Sequence, residues 1–379
     1  MKILMLSEDF LPNVGGITSH IVYLSKFLVE LGHQVTILKP SQKEEAEFIH
    51  DFGFKVIHLK GKRSNFFNKI YIRGFIKNLF EKEGFDILHC HQLIGYETKF
   101  LKNIPKIFTN HTSMYLEEYE KIRGRIRLKL MLNHVDAIIS PSKELQHKSS
   151  IIKNRVGNFY IPNGVDEKRF IDDEVEHTNS KFDFLLEKKD DGEVIILCPR
   201  RLEPKCGVQY FVESIPLVLK DYQKCHFVIA GRGGFFDEED RLKGILDQHG
   251  ALERVSFLGD IDNSDMPFLY QMSDIVAFPS LMEATSISCL EAMSSGKAIV
   301  STDVGGLPEL IDDNIDGLLI KPRYPKAMAE KILQLINDVE LRNSLGKKAR
   351  KKVEENFSWS KIAGKTEIIY HKVLNSKGF

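Results

Sequence analysis

The stretch DIVAFPSLMEATSISCLEAMSSGKAIVSTDVGGLPEL, residues 274–310, decides the reading of the chain. Residues 275–278 are continuously apolar and stop at Pro279 and Ser280, as a buried strand does when it leaves a sheet. A helix-period segment follows from about Ser286 through ISCLEAM, then a Ser-Ser-Gly turn, a second apolar run at 298–300 and the pair Gly305–Gly306. Strand, helix and strand on short connections make the crossover unit of a parallel sheet. Glu283 falls in the loop before the helix, whereas Glu291 sits more than a turn inside it, so the two carboxylates cannot do the same job.

The same alternation runs through the chain. KILMLS (2–7), QVTIL (34–38), KVIHL (55–59), FDILHCH (85–91), KIFTNH (106–111) and DAIIS (136–140) precede EVIILCPR (193–200), CHFVIAG (225–231), RVSFLGD (254–260) and DGLLI (316–320). Helix-period segments such as SHIVYLSKFLVELG (19–32) separate them, which predicts parallel, doubly wound sheets. YIPNGVDEKRF (160–170) punctuates the chain near its middle, and the charge-dense 171–193 reads as a connector before the second sheet. In such sheets ligands sit at the carboxyl ends of the strands.

Composition narrows the function. At 379 residues with 42% hydrophobic content the chain suits two domains rather than one core. Lys plus Arg and Asp plus Glu are both 53, so no net charge draws it to nucleic acid. The five cysteines, Cys90, Cys198, Cys206, Cys225 and Cys289, are scattered and show no C-x-x-C spacing, which argues against a disulfide framework or a zinc cage and for a reducing cytosol. No apolar run is long enough to span a membrane.

Around the opening stretch, the amides of Ser286 and Ile287 form a helix N-terminus suited to phosphate. A carboxylate beside a phosphate must bind something that offers hydroxyls, since its own charge repels the ligand. Glu283 and Glu291 therefore read as acceptors for sugar hydroxyls with a diphosphate between them. The plain alternative leaves Glu283 solvated and pairs Glu291 with a lysine. In PRRLEPKCGVQYF (199–211), Arg201 and Lys205 follow a strand and are candidate diphosphate cations, or ordinary surface charges. In FLPNVGGITSH (10–20), Gly15 and Gly16 precede a helix where bare backbone can approach an anion. HCHQ (89–92) places His89 and His91 on one strand face, but no second ligand pair is spaced to finish a tetrahedral zinc site, and packed or site-lining histidines are the favoured reading.

The motifs GGITSHIVYLSKFLVELGHQV, TNHTSMY, IPNGVD, RRLEPKCGV, FLGDI, SLMEATSISCLEAM and TDVGGLPELI occur in the order and spacing of glycosyltransferase family 4. The chain resembles that family over nearly its whole length. The resemblance implies the GT-B fold, two Rossmann-like doubly wound parallel-sheet domains facing across a cleft. Residues 1–165 would form an acceptor-side domain, with a C-terminal helix at about 358–375 packing back on it, and 166–357 a nucleotide-sugar domain. It further implies transfer from a nucleotide-diphosphate sugar with retention of configuration, with no cofactor and no metal. Glu283 would hold donor-sugar hydroxyls, Glu291 the ribose, and Ile261 the base through its backbone. Ser286, Ile287, Arg201, Lys205, Gly15 and Gly16 would serve the diphosphate, and His111 the donor sugar. Three features depart from the pattern or distract from it. Ser286 stands where many members have glycine, Cys206 stands where a common pattern puts lysine, and Asp260 with Asp262 imitates a metal-binding D-x-D.

Two basic segments stand out, 60–82 and 121–130, as candidates for membrane contact; the first interleaves Phe66, Phe67, Tyr71, Phe75 and Phe80 with Lys and Arg, the composition of a helix resting on an anionic bilayer. Their alternative is a surface helix whose apolar residues face the core. The expected partners are a nucleotide-sugar donor and a lipid-linked or saccharide acceptor, in glycolipid, glycan or envelope polysaccharide synthesis, with a cytoplasmic location at the membrane's inner face. The competing functions are a sugar-nucleotide epimerase of the same architecture and a non-catalytic protein that binds the sugar nucleotide for a partner transferase.

Overall fold

The computed structural model of the chain describes every residue except 13–14, 43–44, 61–65, 92–97, 99, 102–103, 112, 153–156, 171–178, 234–236 and 378–379. The chain divides into two compact units, Met1–Gly164 with Trp359–Phe379, and Val165–Ser358.

Among the described residues the N-terminal unit has eight strands: β1 (Lys2–Leu6), β2 (Gln34–Gln42), β3 (Ala46–Ile49), β4 (Lys55–Lys60), β5 (Ile87–His91), β6 (Lys106–Thr109), β7 (Ala137–Ser140) and β8 (Gly157–Tyr160). They lie in the order β3-β4-β2-β1-β5-β6-β7-β8. All pairings are parallel except β3 with β4, which puts one antiparallel strand on the edge. The sequence reading did not anticipate β3: its four residues are all exposed, so no apolar run announces it. Connections run one way from β1 to β2 and the other way to β5, so a topological switch point lies between β1 and β5.

The C-terminal unit has six strands among the described residues: β9 (Val194–Cys198), β10 (Cys225–Ala230), β11 (Val255–Gly259), β12 (Ile275–Phe278), β13 (Ala298–Thr302) and β14 (Leu318–Ile320). The order β11-β10-β9-β12-β13-β14 is wholly parallel and places its switch point between β9 and β12. Each unit thus adopts the doubly wound class that the alternating apolar runs predict. The connector expected at 171–193 lies partly outside the described residues; its remainder is not a linker. Helix Asp183–Asp190 and the turn before it bury Phe182 and Leu185 in the core of the C-terminal unit, because two apolar residues three apart suffice to dock one short helix.

The helix Trp359–Lys377 belongs to the N-terminal unit, where it packs on helix Gly16–Glu30. Trp359, Ile362, Ala363, Thr366, Ile369, Tyr370 and Val373 are buried, three and four residues apart, and form one continuous face. Trp359 stacks on Tyr23 at 6.1 Å between ring centroids and is 1% exposed. Trp359→Ala should destabilise the N-terminal unit by about 3–5 kcal/mol, the cost of emptying a fully packed aromatic site. Urea titration followed by circular dichroism checks this, and an unchanged midpoint would refute the packing role.

Candidate active site

The site of the C-terminal unit forms where β9 and β12 end side by side. After β9 comes Arg200, and after β12 comes Glu283, and their side chains meet: Arg200 Nη2 donates to Glu283 Oε2 at 2.5 Å. Arg200 Nη1 lies 3.4 Å from the Ser286 hydroxyl oxygen. Both partners are largely shielded, at 12% and 15% side-chain exposure. Burial opposes the charge on Arg200, but the carboxylate of Glu283 outweighs it and the guanidinium holds its proton more tightly than usual. Removing one partner of such a pair leaves the other charge uncompensated, at a cost of about 3–5 kcal/mol.

Backbone contacts fix the two loops against each other. Leu281 and Met282 N–H groups donate to the Lys205 carbonyl at 2.8 and 3.2 Å. Gly207, at φ +67°, passes so near the chain that a Cβ there would lie 2.0 Å from the Pro279 carbonyl oxygen. The TDVGG turn after β13 closes on the other side: Gly306 N–H donates to the Glu283 carbonyl at 3.1 Å. Gly305 has φ +54°, and a Cβ there would lie 1.7 Å from the same oxygen. The Gly-Gly pair of the opening stretch is therefore the wall against which Glu283 is set.

Helix Ile287–Ser294 starts from Ser286, whose hydroxyl accepts the Cys289 N–H at 3.2 Å and caps the helix. Its first turn carries no acidic residue, so the remaining terminal amides keep their affinity for an anion. Glu291, one turn on, is half-buried. The Tyr270 hydroxyl, on helix Met266–Met272, lies 3.1 Å from Glu291 Oε2 and 3.0 Å from the Ser288 carbonyl oxygen, and donates to this pair. Burial raises the Glu291 carboxyl above its ordinary range, against the pull of the Arg169 charge and the Tyr270 hydrogen bond.

The other cations named from sequence stand apart from this core. Arg201 is 64% exposed and pairs with Glu203 at 3.0 Å, and Lys205 pairs with the same carboxylate at 3.0 Å. Ile261 follows β11, the far edge strand, and packs on the hydrophobic core of the C-terminal unit. Asp260 and Asp262 beside it are exposed.

In the N-terminal unit, helix Gly16–Glu30 begins after Gly15 with neither a side-chain cap nor an acidic first turn, leaving its leading amides open to an anion. His111 follows β6 and His91 ends β5, and His91 Nδ1 lies 2.8 Å from His111 Nε2. Burial, and then the neighbouring imidazoles, push both well below the ordinary histidine value. His20 reaches the same place from the helix after β1; burial takes it down to about 4, its Asn163 hydrogen bond opposing. These imidazoles are neutral at pH 7.

Comparison with known proteins decides the family. Residues 14–169 match the family described as Glycosyltransferase Family 4, and residues 181–352 match Glycosyl transferases group 1. An uncharacterized glycosyltransferase of Methanocaldococcus jannaschii is 30% identical over 98% of this chain and 99% of its own length. The chain belongs to glycosyltransferase family 4. The phosphatidylinositol N-acetylglucosaminyltransferase gpi3 subunit of Schizosaccharomyces pombe is 25% identical over 98% of this chain and 80% of its own. Among solved structures, sucrose-phosphate synthase from Thermosynechococcus elongatus superposes with a TM-score of 0.81 at 20% identity, covering 99% of both chains. Anabaena HepE, in complex with UDP-glucose, gives 0.77 at 18% identity over 99% of this chain and 100% of its own. The fold of this family 4 glycosyltransferase is GT-B.

Sequence reading of the glycosyltransferase picked Glu283, Glu291, Ser286 and Ile287, which the fold brings to one helix N-terminus. It missed Arg200, Tyr270 and His20. The signal for Arg200 was the doubled arginine at a strand end, of which the reading took only Arg201. His20 and Tyr270 carry none, since each meets its partners across long stretches of chain. Gly305→Ala should lower the melting temperature and displace Glu283, as strain at positive φ and the contact with its carbonyl act together. The control Gly244→Ala, inside helix Asp237–Gln248 where a Cβ meets nothing within 4 Å, should be neutral or stabilising. Differential scanning calorimetry of the two variants checks the contrast.

Proposed function

We propose that this family 4 member is a retaining glycosyltransferase, moving a sugar from a nucleotide-diphosphate donor to a lipid-linked or saccharide acceptor. The observation that carries the reading is Glu283 and Glu291 flanking the open amides of one helix N-terminus at the β9–β12 switch point. Glu291, steadied by Tyr270, takes the ribose hydroxyls, and Glu283 takes those of the donor sugar. The Ser286 and Ile287 amides, with Arg201, Lys205, Gly15 and Gly16, neutralise the diphosphate as it leaves, and Ile261 offers its backbone to the base. His111 serves the donor sugar. A relative structure named as a UDP-glucose complex supports the donor class.

The ion pair favours a front-face course over a covalent one. Arg200 engages the Glu283 carboxylate and weakens it as a nucleophile. The acceptor oxygen then bonds to the anomeric carbon on the face from which the diphosphate departs, and the acceptor's proton passes to a leaving phosphate oxygen. No divalent ion is required for that step.

The helix Ile122–Leu132 favours a lipid acceptor. Ile122, Ile126 and Leu130 repeat every four residues and are 79%, 58% and 53% exposed, while Arg123, Arg125, Arg127 and Lys129 surround them. An apolar stripe rimmed by cations suits an anionic bilayer surface. In the other basic segment, residues 61–65 lie outside the described ones, and Ile72, Ile76, Leu79 and Phe80 of helix Phe66–Glu83 are buried. These four serve the protein's own core, Ile70 and Tyr71 are exposed, and the membrane reading rests on the longer exposed repeat of 122–132. Relatives named for phosphatidylinositol as acceptor point the same way. No helix among the described residues is long and apolar enough to cross a membrane.

Incubation with a panel of nucleotide-diphosphate sugars and lipid acceptors should give a product whose anomeric configuration, read by proton NMR, matches the donor's; an inverted product would reject the mechanism. Glu283→Ala and His111→Ala should each lower transfer about 100-fold or more. Full activity in both would remove the site assignment, and epimer formation from donor alone would replace transfer with isomerisation. Sedimentation with anionic vesicles should fall in the double variant Ile122→Ser/Ile126→Ser and be weak with neutral vesicles. Equal sedimentation of both proteins would discard the helix as the contact.

A further inference from the structure

Three imidazoles from three elements meet at the switch point of the N-terminal sheet. His20 lies on helix Gly16–Glu30, His91 ends β5, and His111 follows β6. One ring nitrogen of each lies within 4.8 Å of one from each of the other two. The His91 and His111 rings stack at 5.1 Å, and His20 meets His111 edge-on at 4.3 Å. His89 is not of this group: Tyr370 OH engages its Nδ1 at 2.7 Å and Thr109 Oγ1 its Nε2 at 2.6 Å. The sequence reading weighed a zinc pair in His89 and His91 and favoured packed or site-lining histidines; the fold gives His91 two imidazole neighbours from distant elements.

One hydrogen bond fixes the tautomer of His20. His20 Nδ1 faces Asn163 Oδ1 at 2.8 Å, and since a carbonyl oxygen only accepts, the proton sits on Nδ1 and the lone pair on Nε2. That Nε2 is buried and has no hydrogen-bond partner, and the same holds for His91 Nε2. Two orphaned imidazole nitrogens in one buried cluster are unusual, because such groups are normally satisfied. A histidine whose other N–H is held by a carbonyl is the arrangement seen around metal-ligating histidines, where the outer partner fixes the tautomer. Imidazole donors without a carboxylate select borderline ions such as Zn²⁺ or Co²⁺ over the oxygen-seeking Mg²⁺ and Ca²⁺.

We propose that His20, His91 and His111 form a binding site for one borderline divalent transition-metal ion, and that the bound ion occupies His111 and so inhibits transfer. The binding stands on the geometry of the cluster alone. The inhibition rests on the role given to His111 above. The ion is an inhibitor in this scheme, since it takes up the imidazole that the donor sugar needs.

The test uses the full-length chain, stripped with a chelator and titrated with Co²⁺ while the visible d–d absorption is recorded, then with Zn²⁺ in a calorimeter. The expected result is one ion per chain, a tetrahedral cobalt spectrum displaced by Zn²⁺, and no response to Mg²⁺. His20→Gln and His91→Gln should each weaken binding more than about tenfold and abolish the spectrum, and Asn163→Ala, which removes the Nδ1 partner of His20, should weaken it about 10–100-fold. His249→Gln, an exposed histidine of the other unit, should leave it intact. Melting curves identify any variant that fails to fold, and the Asn163 variant then carries the test. Absent cobalt absorption, or binding indifferent to His20, His91 and Asn163, overturns the site. If the site binds, micromolar Zn²⁺ should suppress transfer reversibly; binding without suppression overturns the inhibition and counts against His111, while the spectrum stands apart from whether His111→Ala abolishes transfer.

Discussion

The C-terminal site depends on a single close approach: the loop after β9 runs against the loop after β12 with no side chain between them. Gly207 leaves room for the Pro279 carbonyl, and the Lys205 carbonyl accepts two amides from Leu281 and Met282. This contact brings the ends of two strands close enough for Arg200 to reach Glu283 at 2.5 Å. On the other flank Gly305 admits the Glu283 carbonyl itself. Held through its backbone from both sides and through its carboxylate by a buried cation, Glu283 has little freedom to wander. Such placement by rigid neighbours is what a positioned polar group needs if it is to act on developing charge.

The two units solve the switch-point problem with different chemistry. In the C-terminal unit the charged groups compensate one another, and Arg200 stays ionised because Glu283 faces it. In the N-terminal unit the switch point holds imidazoles that burial keeps neutral. A parallel sheet supplies each with the same geometry, strand ends and helix N-termini opening on one side, and leaves the loops to choose the groups. The chain has placed an ion pair at one sheet and neutral imidazoles at the other.

How much of this was legible in the sequence follows from the range of the interactions. Buried parallel strands advertise themselves as apolar runs, so the fold class could be read, whereas β3, four exposed residues on an edge, could not. The glutamates and the helix start between them lie within nine residues, and local spacing was enough to group them. Arg200 meets Glu283 across 83 positions, and His20 meets Asn163 across 143. Nothing local encodes such pairs; they exist only once the sheet order is fixed. The neighbouring Arg201 was an equally good choice on composition; in the loop after β9 Arg200 turns in to Glu283 while Arg201 stays exposed beside Glu203.

The two basic segments make the same point in reverse. Both mix cations with large apolar residues, and composition cannot tell them apart. What distinguishes them is how each helix spaces the apolar residues it exposes: Phe66–Glu83 turns Ile72, Ile76, Leu79 and Phe80 into the core and leaves the adjacent Ile70 and Tyr71 outside, while Ile122–Leu132 keeps Leu128, Met131 and Leu132 for the core and presents Ile122, Ile126 and Leu130 outward in a four-residue repeat. A helix that satisfies its core with one face and carries a second apolar stripe has more hydrophobic surface than folding requires. In water that stripe is a standing cost of exposed apolar area. The proposed contact with an anionic interface rests on this stripe together with Arg123, Arg125, Arg127 and Lys129 beside it, a pairing that the buried face of the same helix does not need.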